Sequence, residues 1–117
     1  MKFLCVFTSL LLLFSPINAT ETALEYDLVK KATAFKYENE FYVAIICEPI
    51  FLRSENVALC KSIQEKIEER SGVKTNVVND VGLYDRLIRL ESLTGEKRQD
   101  EINKIIMLFD RYINERY

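Results

Sequence analysis

Residues 41–79 constrain this chain most. The run Phe41-Tyr42-Val43-Ala44-Ile45-Ile46-Cys47 reads as a strand, about Ser54 to Ser71 as a helix, and Val73-Lys74-Thr75-Asn76-Val77-Val78-Asn79 as a second strand. A strand, a helix and a strand in that order close as a parallel crossover, right-handed in nearly all proteins, so this unit sets the sheet on which everything else packs. Its first strand is apolar on both sides, with Phe41, Val43 and Ile45 on one and Tyr42, Ala44 and Ile46 on the other. That pattern belongs in the middle of a sheet. Pro49 ends the strand, because proline cannot donate to a ladder.

The helix of this unit takes Ser54 as its expected N-cap, Val57, Cys60, Ile63 and Ile67 as its inward stripe, and Gly72 as its left-handed end. The connection before it carries Ile50 and Phe51; one or the other is expected to tuck under the helix, the alternative being a contact patch formed by the two exposed together. The strand from Val73 is more polar and is expected at an edge or half exposed.

Upstream, Thr22 and Glu25 have the spacing of a capping box for a short helix over Ala23 to Lys31. Thr33, Phe35 and Tyr37 then alternate, and Glu38-Asn39-Glu40 separates them from the central strand. So short a connection forces an antiparallel hairpin, with Asn39 suited to a left-handed backbone. Downstream, Asp80 caps a third helix with Leu83, Leu87 and Leu90 on one stripe and Tyr84 and Ile88 beside it. Thr94-Gly95 breaks that helix, and residues Glu96 to Arg116 carry Ile102, Ile105, Ile106, Phe109, Tyr112 and Ile113 on one long amphipathic face.

The expected fold is therefore α+β, with elements in the order α-β-β-α-β-α-α. It has a small three-stranded mixed sheet, the first two helices packed on one face, and a C-terminal helical hairpin that covers an edge or protrudes.

Lys2, an apolar run from Phe3 to Phe14, Ser15-Pro16 and a small residue at Ala19 have the layout of a secretory signal peptide. Cleavage near Ala19 is expected, leaving a single domain over residues 20–117 and a secreted or cell-envelope destination; the other reading is a retained N-terminal anchor. Of the 16 basic and 18 acidic residues the leader removes only Lys2, which takes the net charge from −2 to −3. No long run of one sign occurs, so nucleic acid is not an expected partner.

The chain has no His, the side chain that most readily exchanges protons near neutral pH and the commonest metal ligand. Its carboxylates fall on expected turns and solvated faces, and neither Cys47 nor Cys60 has an imidazole to act as its base. We therefore assign no catalytic, cofactor-binding or metal-ligating residues. With Cys5 lost in the leader, Cys47 and Cys60 are an even pair in an oxidising compartment, and two readings stand: a disulfide, or two reduced cysteines serving as small hydrophobes.

Contacts are expected through the sheet edge or the terminal helix, and two groups of residues are candidates for the surface. Tyr84 and Arg86 flank Asp85 at the start of the third helix, where Asp at the positive helix end also makes sense with no function. Phe109, Tyr112 and Ile113 belong to a terminal face that serves either the core or a partner.

Several segments carry a family resemblance. They are Phe41-Tyr42-Val43-Ala44-Ile45, the end of the helix at Ser71-Gly72-Val73, the strand Thr75-Asn76-Val77-Val78-Asn79-Asp80, and Leu83-Tyr84-Asp85-Arg86-Leu87. Together, over about residues 21 to 92, they resemble the YhcN/YlaJ sporulation lipoproteins. The order of elements is also similar to that of BON domains, over residues 20–93, and to the ring-building modules of sporulation export channels. The chain departs from the family in lacking a lipid-anchor cysteine after the apolar run, which removes that route of membrane attachment. The resemblance implies a noncatalytic exported interaction or structural protein, acting in spore envelope assembly or germination through a protein partner or self-association. A small secreted hydrolase or thiol enzyme, and a secreted effector or inhibitor, are the alternatives.

Overall fold

The computed structural model describes residues 14–50 and 52–115. Its elements are α1 (Pro16–Leu24), β1 (Val29–Tyr37), β2 (Glu40–Cys47), α2 (Arg53–Ser71), β3 (Lys74–Asn79), α3 (Val81–Arg89), a single 3-10 turn (Leu90–Ser92) and α4 (Gly95–Glu115). The sheet order is β1-β2-β3. Strand β2 lies in the middle, antiparallel to β1 and parallel to β3, with Val43 opposite Ala34 on one side and Val77 on the other. The strand–helix–strand unit thus closes as the parallel crossover that its sequence dictates.

The alternating side chains of β2 feed two separate apolar layers. Phe41, Val43 and Ile45 pack with Val77 of β3, with Cys60, Ile63 and Ile67 of α2, and with Ala19 and Ala23 of α1. Tyr42 and Ala44 pack with Val78, with Leu83 and Leu87 of α3, with Leu90, and with Ile102, Ile105 and Phe109 of α4. The C-terminal hairpin therefore covers the second face of the sheet, not an edge. Tyr42, Ala44 and Val78 would otherwise lie bare, and each large apolar side chain buried there is worth about 1.5–3 kcal/mol.

The first helix starts earlier than its expected place and ends earlier. Ser15 caps it, accepting from the Asn18 N–H, while Asn18 Oδ1 accepts from the Ser15 N–H at 2.8 Å; Pro16, with its fixed φ, fills the first helical position. Thr22 sits inside this helix, donating to the Asn18 carbonyl at 2.9 Å, and residues 29–31 join β1 instead. Ala19 and Ala23, one turn apart, are fully buried and small enough to bring the helix close to the sheet; Phe14 meets the Phe41 ring edge-on at 5.9 Å. The expected cut after Ala19 falls within α1, while residues 1–13 of the apolar run lie outside the described residues. Among the described residues no helix is long and apolar enough to cross a membrane.

Elsewhere the local signals act as read, with small shifts. Both Glu38 (φ 46°) and Asn39 (φ 63°) are left-handed, as a two-residue hairpin turn needs. Gly72 (φ 70°) ends α2, and Asp80 caps α3 by accepting from the Leu83 N–H at 2.9 Å. Helix α2 is capped at Leu52 with no side-chain bond, which places Ser54 inside the helix rather than at its cap. Ile50 is half-buried, and Phe51 lies outside the described residues.

Candidate interaction surface

The residues expected to form a contact surface separate on folding. Phe109 is fully buried and meets the Tyr42 ring edge-on at 5.3 Å, so it is core and not a contact residue. The cause is the second face of β2, which takes up the widest part of the α4 stripe. Tyr84 and Ile113 are half-buried against the same layer. Arg86 is held in an ion pair with Glu101 of α4 at 2.7 Å, which ties α3 to α4. Arg86 and Tyr112 do come together, lining a cleft of about 230 Å³ with Asp80, Leu83 and Arg111. Tyr112 also borders a second hollow of about 180 Å³ with Arg53 and Asn56.

Tyr112 does more than line clefts. Its hydroxyl donates to the Asn79 carbonyl at 3.1 Å and accepts from the Asn79 N–H at 3.3 Å and from Asn56 Nδ2 at 3.3 Å. Asn79 Nδ2 in turn donates to Asn56 Oδ1 at 2.9 Å. A strand residue turns its N–H and C=O to the same side, so the side of Asn79 that Tyr112 occupies is the one facing away from β2. Two residues back in register twice over, Thr75 turns the same way, and its N–H donates to Glu68 Oε2 at 3.0 Å. Side chains from α4 and α2 thus close both ends of the outer edge of β3.

The outer edge of β1 is different. Tyr37 and Glu40 flank the two-residue turn and face each other, so they exchange both of their backbone bonds, as do Phe35 with Tyr42 and Thr33 with Ala44. Ala32, Ala34 and Lys36 must then turn their N–H and C=O groups outward. Among the described residues no backbone or side-chain group bonds to them. The usable edge is bounded by an irregularity between Val29 and Lys31 at one end and the turn at the other. Flanking it on the second face, Phe35 and Tyr37 are half-buried with their rings stacked at 6.1 Å; Arg98 sits 5.8 Å over Phe35, and Gln99 donates to the Tyr37 hydroxyl at 3.0 Å. Lys36 lies 5.8 Å over the Phe41 ring on the first face.

No family model, curated protein or solved structure matches this chain.

Cys47 and Cys60 lie in one layer without a disulfide between them, Cys60 buried and Cys47 half-buried at the end of β2. Burial, with a smaller contribution from Cys60, pushes the Cys47 thiol up to about 11, so at neutral pH it is protonated and a poor nucleophile. Among the described residues no group of three or more His, Cys, Asp or Glu side chains could hold a metal ion. Sequence reasoning missed the roles of Asn56 and Asn79, which look like ordinary polar residues of a helix and a strand end. It expected contacts at a sheet edge without saying which one; Lys31 and Lys36, the residue type that guards exposed strands, point to β1.

Proposed function

We propose that this protein is an exported, noncatalytic interaction module that binds a protein partner by adding a strand to β1. The observation that carries the reading is the contrast between the two edges: Glu68 and Tyr112 close β3, while Ala32, Ala34 and Lys36 leave three outward pairs of backbone groups open. Strand addition uses such an edge, with main-chain bonds for affinity and alternate side chains for selection. The leader-like N-terminus supports export, and the resemblance of residues 21–92 to the YhcN/YlaJ proteins supports a place in spore envelope assembly or germination. The raised Cys47 thiol weighs against a thiol enzyme, since a protonated sulfur with no imidazole beside it attacks slowly.

A photoreactive side chain in place of Lys31, on this edge, tests the reading in intact producing cells. Protein adducts are expected from position 31 and not from position 69 on the exposed outer side of α2, and Ala34→Pro should abolish them. That proline removes an outward donor and leaves the bonds to β2 intact. Absence of any protein adduct at position 31 would sink the proposal.

A further inference from the structure

We infer that the strand added to β1 is β1 of a second copy, paired antiparallel about a two-fold axis through Ala34; this rests on the strand-addition reading and names its partner. The free edge runs over residues 31–37, between the irregularity before Lys31 and the turn after Tyr37, and Ala34 is its midpoint. Its outward backbone groups belong to Ala32, Ala34 and Lys36, which are themselves symmetric about Ala34. Full overlap of the edge with its own image therefore opposes Ala34 to Ala34, Ala32 to Lys36 and Lys36 to Ala32. Each opposed pair exchanges both of its N–H···O bonds, about six across the interface.

Side chains select the same register. A two-fold axis normal to the sheet keeps each face continuous, so Lys31 falls opposite Tyr37 and Thr33 opposite Phe35 of the other copy on the second face. A cation beside an aromatic ring and a β-branched residue beside an aromatic are both favourable cross-strand neighbours. On the first face Lys36 falls opposite Ala32, whose methyl leaves room for the longer side chain. Moving the axis to Thr33 would set Lys31 against Phe35, lose the outermost pair of backbone bonds and bring Lys36 opposite Lys30, a like-charge contact. The lysines that discourage unspecified pairing are thus tolerated in this arrangement, which also keeps all three outward pairs of backbone groups bonded. The product is a continuous six-stranded sheet with β3 of each copy, its outer groups bonded to Glu68 and Tyr112, at the two ends.

The test is made on the purified chain. Sedimentation should show a concentration-dependent dimer, and Ala34→Pro should be a monomer with an unchanged circular dichroism spectrum. Ala34→Cys should give a disulfide-linked dimer on mild oxidation, because opposed bonded residues lie about 5.5 Å apart between Cα atoms, within the range a disulfide spans. Ala32→Cys should not, since its own image lies four residues along the partner strand, about 14 Å away. Should Ala34→Pro fail to fold, the two cysteine variants decide alone. A wild-type chain that stays monomeric at millimolar concentration overturns the inference while leaving strand addition to a different protein standing. A dimer in which Ala34→Cys does not cross-link, or Ala32→Cys does so equally well, overturns it too. Absence of position-31 adducts in cells from a chain that also stays monomeric when purified, by contrast, strikes at strand addition itself.

Discussion

Asn79 ends β3 with a backbone N–H and C=O directed away from the sheet, and one phenolic hydroxyl answers both. A hydroxyl can donate once and accept twice, and Tyr112 uses that full capacity by also accepting from Asn56. Tyr112→Phe keeps the ring and removes all three bonds, leaving half-buried backbone groups unpaired. The expected loss is about 1–3 kcal/mol in denaturant unfolding, together with faster hydrogen exchange at the Asn79 amide than at Val78. An unchanged Asn79 exchange rate would mean that water replaces the hydroxyl and that the β3 edge is not closed by it. The same residue shows why a terminal aromatic stripe is ambiguous in sequence. Phe109 and Tyr112 sit one turn apart on α4, yet the first fills the second layer and the second satisfies a strand end. Only the position of the sheet distinguishes them.

At the scale of elements, the crossover unit and the hairpin were legible because their signals are local. An apolar run ended by Pro49, a left-handed Gly72, a capping Asp80 and a two-residue turn at Glu38-Asn39 each act within a few residues. Placing the C-terminal hairpin required a longer inference. Tyr42, Ala44 and Ile46 announced that β2 is apolar on its second face, and that face needed a cover which only α3 and α4 could provide. The first helix was misplaced because Ser15-Pro16 and Ala19 fit a leader's end as well as they fit a helix start, and Thr22 and Glu25 mimic a cap one turn too late. Helix α1 is then held at its far end by Arg70 of α2, which donates to both oxygens of the Glu25 carboxylate, one of these bonds measuring 3.1 Å. That bond, aided by the charges of Arg70 and Lys66, holds the Glu25 carboxyl below the ordinary carboxylate range. A depressed carboxyl stabilises the fold above its unfolded-state pKa and ceases to do so as the pH falls through the folded-state value. Amide exchange in α1 should therefore quicken selectively below about pH 4, ahead of exchange in β2, and Glu25→Gln should remove that pH dependence. In the uncleaved chain Ser15→Ala should weaken the opposite end of α1 by about 1 kcal/mol through loss of its cap. If α1 and β2 respond to acid in parallel, the Glu25–Arg70 contact does not control the docking of this helix.

For the whole molecule, the consequence is that one strand serves two cores. Ile63 of α2 lies fully buried in the layer against Phe41, Val43 and Ile45, and Ile105 of α4 lies almost fully buried in the layer against Tyr42 and Ala44. The sheet separates them, so they share no packing neighbour except through the β2 backbone. Two extremes are conceivable for such an arrangement. Each layer could melt with its own helices, or β2 could couple the layers into a single transition, since either layer loses its floor when that strand is lost. The pairing of β2 on both sides favours the second, because neither helical layer retains an apolar surface to fold against without it. Ile63→Val and Ile105→Val each delete one buried methylene and should each cost about 0.5–1.5 kcal/mol. The double variant should lose the sum of the two to within about 0.5 kcal/mol, as residues without shared contacts do. Every variant should unfold in one transition with coincident far-UV dichroism and tyrosine fluorescence, which samples Tyr42 in the second layer and Tyr26 beside the first. Two resolved transitions, with Ile63→Val moving one and Ile105→Val the other, would show that the faces fold independently and that β2 is a partition, not a coupler.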